Sequence, residues 1–518
     1  MTRRQFTTLA AATAASHALA QTPGAPVDIA DRRELFVDRQ LIDRLGGSAL
    51  LRLHHPQPRE IALVHDAPWE GTGSGYHSVF QDGGLYRMYY KAWHIDVSNG
   101  KMRSDSHPGF CCYAESSDGI RWTKPQLHLV DFRGSKANNI VIASGPVGKL
   151  NLDAAHPAIF KDENPAAPAT ARYKAFLRSA AKTAHGLIPM QSADGLRWTP
   201  MAEGPVITNG AFDSQNLAFW DPVRRQYRAY WRGFTEGVTT GETWKPSGLR
   251  AIRTGTSSDF LHWSEPDDLR YVDSPAEQLY TNQVKPYHRA PHLLIGFPTR
   301  YLERPWSSSL RALPEPEHRQ QRSAASQRYG TAITEALLMA SRDGVLFHRW
   351  NEAFLRPGPE REGTWNYGHQ YIGWHLVETR SPFSGAPNEL SLYASESYWT
   401  GNSSEVRRYS LRLDGFVSVN AGWNGGELVT RPLRFTGGRL HLNFATSAAG
   451  VVRVEIQNAA GQPIAGFTKT DCDEIFGDAV ERPVSWKDSA DVSKLAGTPV
   501  RLRFVLKDAD LYSFRFHA

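Results

Sequence analysis

Apolar and polar residues alternate in short runs along this chain, and the runs come in sets. Leu85-Tyr86-Arg87-Met88-Tyr89-Tyr90 follows GYHSVFQ and the pair Asp82-Gly83. A period of two is a strand with side chains on alternate faces, and Asp-Gly between two such runs is hairpin chemistry. The same layout returns as HPAIFKDENP, RYKAFLRS and IPMQSADGLRWTP, and then as SQNLAFWDP, RQYRAYWRGF and LRAIRTGTSSDFLHWSEP. It returns again as EQLYTNQVKPYH, HLLIGFPTRYLE and ALLMASRDGVLFHRW, and in more divergent form as WNYGHQYIGWHLVE, ELSLYASESYW and VRRYSLRLDGFVSV. The first four sets end on one phrase, SSDGIRWTKP, SADGLRWTPM, SSDFLHWSEP or SRDGVLFHRW, with aspartates at 118, 194, 259 and 343. Units repeating at this period are stacked or arranged radially. The pattern predicts an all-β chain with a five-bladed β-propeller over residues 61–421. In the phrase, Asp-Gly makes the turn and the next Trp or Phe packs between blades, so these four aspartates are read as scaffold.

Either side of the propeller the pattern changes. Residues 1–20 carry Arg3-Arg4, a small-residue apolar stretch and Ala18-Leu19-Ala20, the form of a twin-arginine export signal, predicting a periplasmic or secreted protein. Residues 21–60 are a lead-in segment whose ELFVDRQLIDRL is expected to lie against a blade or close the ring. Residues 422–518 hold long alternating runs, GRLHLNFATSAAGVVRVEIQNAAGQPIAGF and TPVRLRFVLKDADLYSFRF, and predict a β-sandwich. No later stretch is long and apolar enough for a membrane span. Gly 43, Pro 32, Trp 15 and Tyr 19 suit short strands and tight turns. Three cysteines make no disulfide framework, and adjacent Cys111 and Cys112 face opposite sides of a strand. The net charge of +6 is interspersed with negatives, which argues against nucleic acid as a partner.

Candidate chemistry lies on and just before the strand that opens each blade, since those strands line the funnel. The segments GTGSGYHSVF, NLDAAHPAIF, GAFDSQNLAF, YTNQVKPY and WNYGHQYIGW are unusually polar for inner strands. Buried polar groups need partners or a ligand. His77, Asp153, His156, Gln215, Asn216, Asn282, Gln283 and His369 are therefore read as substrate-binding, or else as an internal network around a water-filled channel. Trp69 and Trp93 are candidate stacking platforms. Glycosidic hydrolysis needs two carboxyls, and the reading assigns Asp66 as base or nucleophile, Asp213 as orienting carboxylate and Glu277 as general acid. An insertion from Glu303 to Gly330 carries Arg304, Arg311, Arg319, Arg322 and Arg328; with Arg289 and Arg300 it is a candidate for holding a carboxylate or sulfate of the substrate. The alternative is a solvated lid. Asp471, Asp473 and Asp478 offer oxygen ligands for a structural calcium ion, against a solvated turn; no other cofactor is required.

The runs ELFVDRQLIDRL, LHHPQPRE, VHDAPWEG, GAFDSQNLAFWDP, EQLYTNQV, GFPTRY and DCDEIFGD resemble exported bacterial proteins related to glycoside hydrolase families 32 and 43. The resemblance covers most of the mature chain. It implies a five-bladed propeller followed by a β-sandwich, and glycosidase activity; the chain is read as an exported glycoside hydrolase acting on a plant or algal poly- or oligosaccharide. The N-D-P-N-G, R-D-P and E-C motifs of those families are absent. Their positional stand-ins are His65-Asp66-Ala67-Pro68, Phe212-Asp213-Ser214 and Glu277-Gln278. A non-catalytic carbohydrate-binding propeller, or a lyase using His77, His156 or His369 with a tyrosine on an acidic sugar, are the rival expectations.

Overall fold

A computed structural model describes residues 25–181, 184–240 and 243–517; the twin-arginine leader expected at residues 1–20 lies outside the described residues. The expected ring is present. Blade 1 pairs Gly75–Asp82, Leu85–Ala92, Phe110–Ser116 and Ile140–Ala143 in sequence order. Blade 2 is built on Leu150–Lys161, Tyr173–Ser179 and Leu187–Ser192, and blade 3 on Leu217–Asp221, Gln226–Thr240 and Thr243–Ser257. Blade 4 uses Lys285–Tyr287, Ala290–Gly296, Met339–Ser341 and Leu346–Arg349. Blade 5 uses Val377–Thr379, Glu389–Glu396 and Glu405–Arg412, and its outer strand is Gln57–Val64 from the far end of the chain. That strand closes the ring, so no blade edge is left at the seam.

The repeated phrase is the same device four times. Asp118 Oδ1 accepts from the amides of Ile120 and Arg121 at 2.8 Å, while the Ser116 hydroxyl accepts from Gly119 N at 2.9 Å. Asp194, Asp259 and Asp343 repeat these bonds. The residue after the aspartate has positive φ; in blade 3 it is Phe260 (φ 72°), not glycine. The left-handed region is costly for a bulky side chain, and here the ring recovers the cost by burial, stacked on Phe176 at 4.9 Å. The aromatic that follows reaches the previous blade: Trp122 meets Tyr393, Trp198 meets Tyr89, Trp263 meets Phe176 and Phe347 meets Tyr230. Cys111 and Cys112 are unpaired and buried, in different core clusters.

Outside the ring stands one continuous ten-stranded sheet around a core of its own. Its longest strands, Arg439–Asn458 and Val500–His517, are joined by Val417–Ala421, Gly426–Thr430, Leu433–Phe435 and Asp478–Pro483. The lead-in segment supplies the other four, Val27–Ala30, Glu34–Leu35, Ile42–Gly47 and Leu50–Leu53. ELFVDRQLIDRL therefore joins the C-terminal sheet while lying against blade 4, where Leu35 and Val37 pack with Leu293 and Ile295 and Arg342 pairs with Glu34 and Asp38; the segment after it closes the ring. Asp414, fully buried, ties the two bodies: it holds Arg33 and Arg289 and accepts from Tyr287 and Ser513.

The insertion in blade 4 is helical: α1 (Ser308–Ala312), α2 (Pro316–Ala325) and α3 (Gln327–Thr331). The α2 run PEHRQQRSAA has proline at its first position and good helix formers after it. It packs on the hairpin Asp96–Ser98/Lys101–Arg103 of blade 1, so an element of blade 4 reaches across to blade 1. Among the described residues, no helix is long and apolar enough to cross a membrane.

Candidate functional site

The segments leading into the inner strands meet in an aromatic cluster at one end of the funnel, here called the mouth. Tyr76 opens blade 1, Tyr280 precedes blade 4, and Tyr367 and Tyr371 precede blade 5; Tyr301, Tyr398 and Trp399 complete the bank. Tyr76 stacks on Tyr371 (6.3 Å between centroids, 7° between planes), and Tyr371 stacks on Tyr280 (5.5 Å). Gly368 (φ 87°) makes room, since a Cβ there would overlap the Tyr398 ring.

Charged groups surround these rings. Lys91 is 2% exposed, and its Nζ lies 4.6 Å from the Tyr76 ring, 5.0 Å from Trp93 and 5.2 Å from Tyr398. It donates to the Tyr398 hydroxyl at 3.2 Å, and among the described residues no carboxylate lies within ion-pair distance of it. Burial lowers its ammonium to about 7. Arg232, over the Tyr280 ring at 4.9 Å, is ion-paired to Asp213, whose side chain is 44% exposed. On blade 2, Asp153 meets His156 Nδ1 at 3.0 Å and Arg178 at 2.5 Å. Burial pushes the Asp153 carboxyl up, but His156 and Arg178 outweigh it and hold it below the usual range. Burial lowers His156 to about 4, so it is neutral at neutral pH. With Nδ1–H donated to Asp153, Nε2 is an unoccupied base, and its ring lies 5.8 Å from Tyr76.

The structure does not bring Asp66, Asp213 and Glu277 together. Asp66 is 71% exposed, pairs with Lys124 at 3.1 Å, and lines a separate cleft of about 290 Å³ with His94, His107 and Arg133. Glu277 is held by Arg300 at 3.0 Å and Arg349 at 2.8 Å, and Arg300 also pairs with Glu335. Of the three only Asp213 stands at the mouth, each acid having found a different cation.

The predicted binding residues divide likewise. Asp153, His156 and Trp93 are at the mouth. His77 turns away, its Nε2 3.1 Å from that of His65; burial lowers His77 to about 3. His369, fully buried, accepts from Trp365 N at 3.1 Å. Gln215 donates to the carbonyls of Tyr76 and Pro157 and accepts from Gln283 at 2.7 Å, a network linking blades 1 to 4 and filling the channel below the mouth. Asn282 bonds locally to its own turn, and Asn216 donates to the carbonyls of Phe212 and Ser214 and accepts from Arg232 N at 3.3 Å. Trp69 donates to Asn139 and packs on Phe132 within blade 1. A cavity of about 600 Å³ lies at the opposite end, where Lys285, Tyr287 and His375 line it with Phe80 and Gln283.

The calcium candidates are not gathered either. Asp471 pairs with Lys487, Asp473 with Ser485, and Asp478 with Arg412. Among the described residues no three His, Cys, Asp or Glu side chains are placed to hold a metal ion.

The sequence does not single out Lys91, Arg232, Tyr76, Tyr280, Tyr371 or Tyr398. Its one signal for Lys91 is a lysine among Tyr89, Tyr90 and Trp93, in a strand whose only other charge is Arg87.

No family model matches the chain, and no curated protein does. Solved structures similar to it in shape are distant in sequence. One is a complex of BT0996 with RGII (13% identity, TM-score 0.43, covering 69% of this protein and 92% of that one). Another is an N-acetylgalactosamine deacetylase from F. plautii with blood group B trisaccharide (13%, 0.41, 70% and 94%). A third is a glycosyl hydrolase from Bacteroides ovatus (13%, 0.36, 72% and 97%). Likenesses this shallow assign neither a residue nor a reaction to this chain, because one fold carries many chemistries.

Proposed function

We propose that this chain is an exported carbohydrate-active enzyme that cleaves glycosidic bonds at the mouth of the propeller, with hydrolysis as the leading reading. The observation that carries it is the pairing of carboxylates with a stacked aromatic floor: Asp153 and Asp213, on successive blades, flank Tyr76, Tyr371 and Tyr280. Sugar rings stack on aromatic faces, and cleavage at an anomeric carbon draws on carboxylates close by. Asp213 is the substrate-facing carboxylate in this reading, because it is part-exposed while Arg232 fixes its position. The proton for the leaving oxygen comes from Tyr398, whose hydroxyl accepts from Lys91 and so keeps its own proton to give. The resemblance of ELFVDRQLIDRL and its companion runs to relatives of families 32 and 43 supports the reading. The leader at residues 1–20 accounts for the export.

A second reading, β-elimination on a uronic acid, is favoured by the His156–Asp153 pair. A carboxylate on Nδ1 orients the ring and leaves Nε2 to abstract a proton from carbon, while a tyrosine protonates the departing oxygen. The purified mature chain, assayed on a panel of neutral and acidic polysaccharides, separates the two. Hydrolysis releases reducing ends without ultraviolet absorbance, elimination releases an unsaturated, absorbing product, and binding with neither product leaves a carbohydrate-binding propeller.

A further inference from the structure

Among the described residues, buried cations mostly meet a carboxylate or, like Arg228, carbonyl and hydroxyl acceptors, and two at the mouth have neither a carboxylate nor a carbonyl. Arg322 of α2 is 1% exposed, with its guanidinium 4.7 Å from the Trp399 ring. Among the described residues its Nε and Nη2 donate to nothing, and no carboxylate lies within ion-pair distance. Its helix neighbour Arg319, equally buried, is different: it donates to the carbonyls of Pro314 and Trp365 at 2.9 and 2.6 Å and so has a structural task. Arg311 and Arg328, also in the insertion, rest on the rings of Trp306 and Tyr329. Lys91 is the other uncompensated cation, enclosed by Tyr76, Trp93 and Tyr398 with only a phenol to donate to. The nearby carboxylates act on these cations only from a distance: Asp153, bonded to His156 and Arg178, attracts Lys91, and Glu315, accepting from Gly363 N at 2.9 Å, attracts Arg322. Tyr398 stands beside both cations, bonded by Lys91 and within the field of Arg322.

A cation taken out of water without a partner costs several kcal/mol. Sugar hydroxyls would satisfy the donors and leave the charge; an anion satisfies both. Resting on the reading that the mouth takes a glycan, we infer that this glycan carries a carboxylate or sulfate group and that Lys91 and Arg322 receive it. Of the arginines in the insertion, Arg322 is then the one that recognises substrate, brought there by the helix that spans from blade 4 to blade 1.

The test is thermal shift and titration of the full mature chain with methyl β-D-glucuronide, methyl β-D-glucoside and sodium sulfate at matched ionic strength. Wild type is expected to be stabilised by the glucuronide, or by sulfate if the group is a sulfate ester, and not by the glucoside. Arg322→Gln should weaken that binding at least about tenfold, the size of a charge-assisted hydrogen bond, while melting no lower than wild type without ligand. Should Arg322→Gln fail to fold, Lys91→Met carries the same expectation. Equal shifts in wild type and variants, or stabilisation by the glucoside alone, would overturn the inference. Turnover of neutral polysaccharide in that case would leave the proposed function standing. Anion binding at the mouth without cleavage of any glycan would do the reverse.

Discussion

Aspartate does two kinds of work here, and the outer turns and the mouth show them side by side. At Asp118, Asp194, Asp259 and Asp343 the carboxylate accepts from amides two and three residues on, so each turn is complete within its own hairpin. At the mouth, Asp213 and Asp153 find partners on other strands, Arg232 and Arg178, and stand beside rings from other blades. A carboxylate satisfied locally fixes a turn. One fixed by a distant cation, with a face still open, is available for chemistry. Asp414 belongs to a third group: it follows the last long strand of blade 5 as the turn aspartates follow theirs, yet it is fully buried and joins the ring to the outer sheet.

That contrast can be broken by substitution. Asp213→Asn should lower kcat by about 10²–10⁴-fold, the usual contribution of a positioned acid–base group, and should also lower the melting temperature, because buried Arg232 loses its counter-charge; kinetics on enzyme shown by calorimetry to be folded separate the two effects. Asp414→Asn should do the opposite, destabilising by about 3–5 kcal/mol because Arg33 and Arg289 lose a buried counter-charge. Denaturant unfolding reads this effect, and refolded enzyme keeps its specific activity. Asp194→Ala should cost about 1–2 kcal/mol through its lost turn bonds and leave kcat unchanged.

The smallest effect concerns pH. Unfolded, Lys91 holds its proton to about 10.5, and folded it releases it at about 7. Between these values the unfolded state binds more protons, so this residue's penalty is full below pH 7 and is relieved as pH rises. Lys91→Met should therefore melt above wild type at pH 6, with the gap closing toward pH 10. A constant gap across that range would show that Lys91 is not an uncompensated charge.

The propeller was legible because its signals are local: period-two runs, Asp-Gly turns and a phrase whose aspartate carboxylate accepts from amides two and three residues on. The outer sheet was half legible. Its long strands alternate plainly, but nothing near residues 27–53 in sequence says that they pair with strands beyond residue 416. The site was least legible. Asp66 and Glu277 have the residue type and the position expected of catalytic acids, and only their partners, Lys124, Arg300 and Arg349, set them apart. Lys91 and the tyrosines escaped because the side of a strand that meets the mouth is decided by ring closure. The helix α2 escaped because an arginine-rich stretch invites a reading by charge, whereas its helix-forming residues decide its shape.

The two ends of the funnel give the most direct test. The glycan is expected at the mouth, although a cavity of about 600 Å³ lies at the other end. The measurement is a crystal structure of the Asp213→Asn variant with an oligosaccharide from a cleaved polysaccharide. The predicted result is a sugar ring on the Tyr76–Tyr371–Tyr280 floor, within hydrogen-bond reach of position 213. A sugar seated instead against Lys285 and His375 would contradict the account.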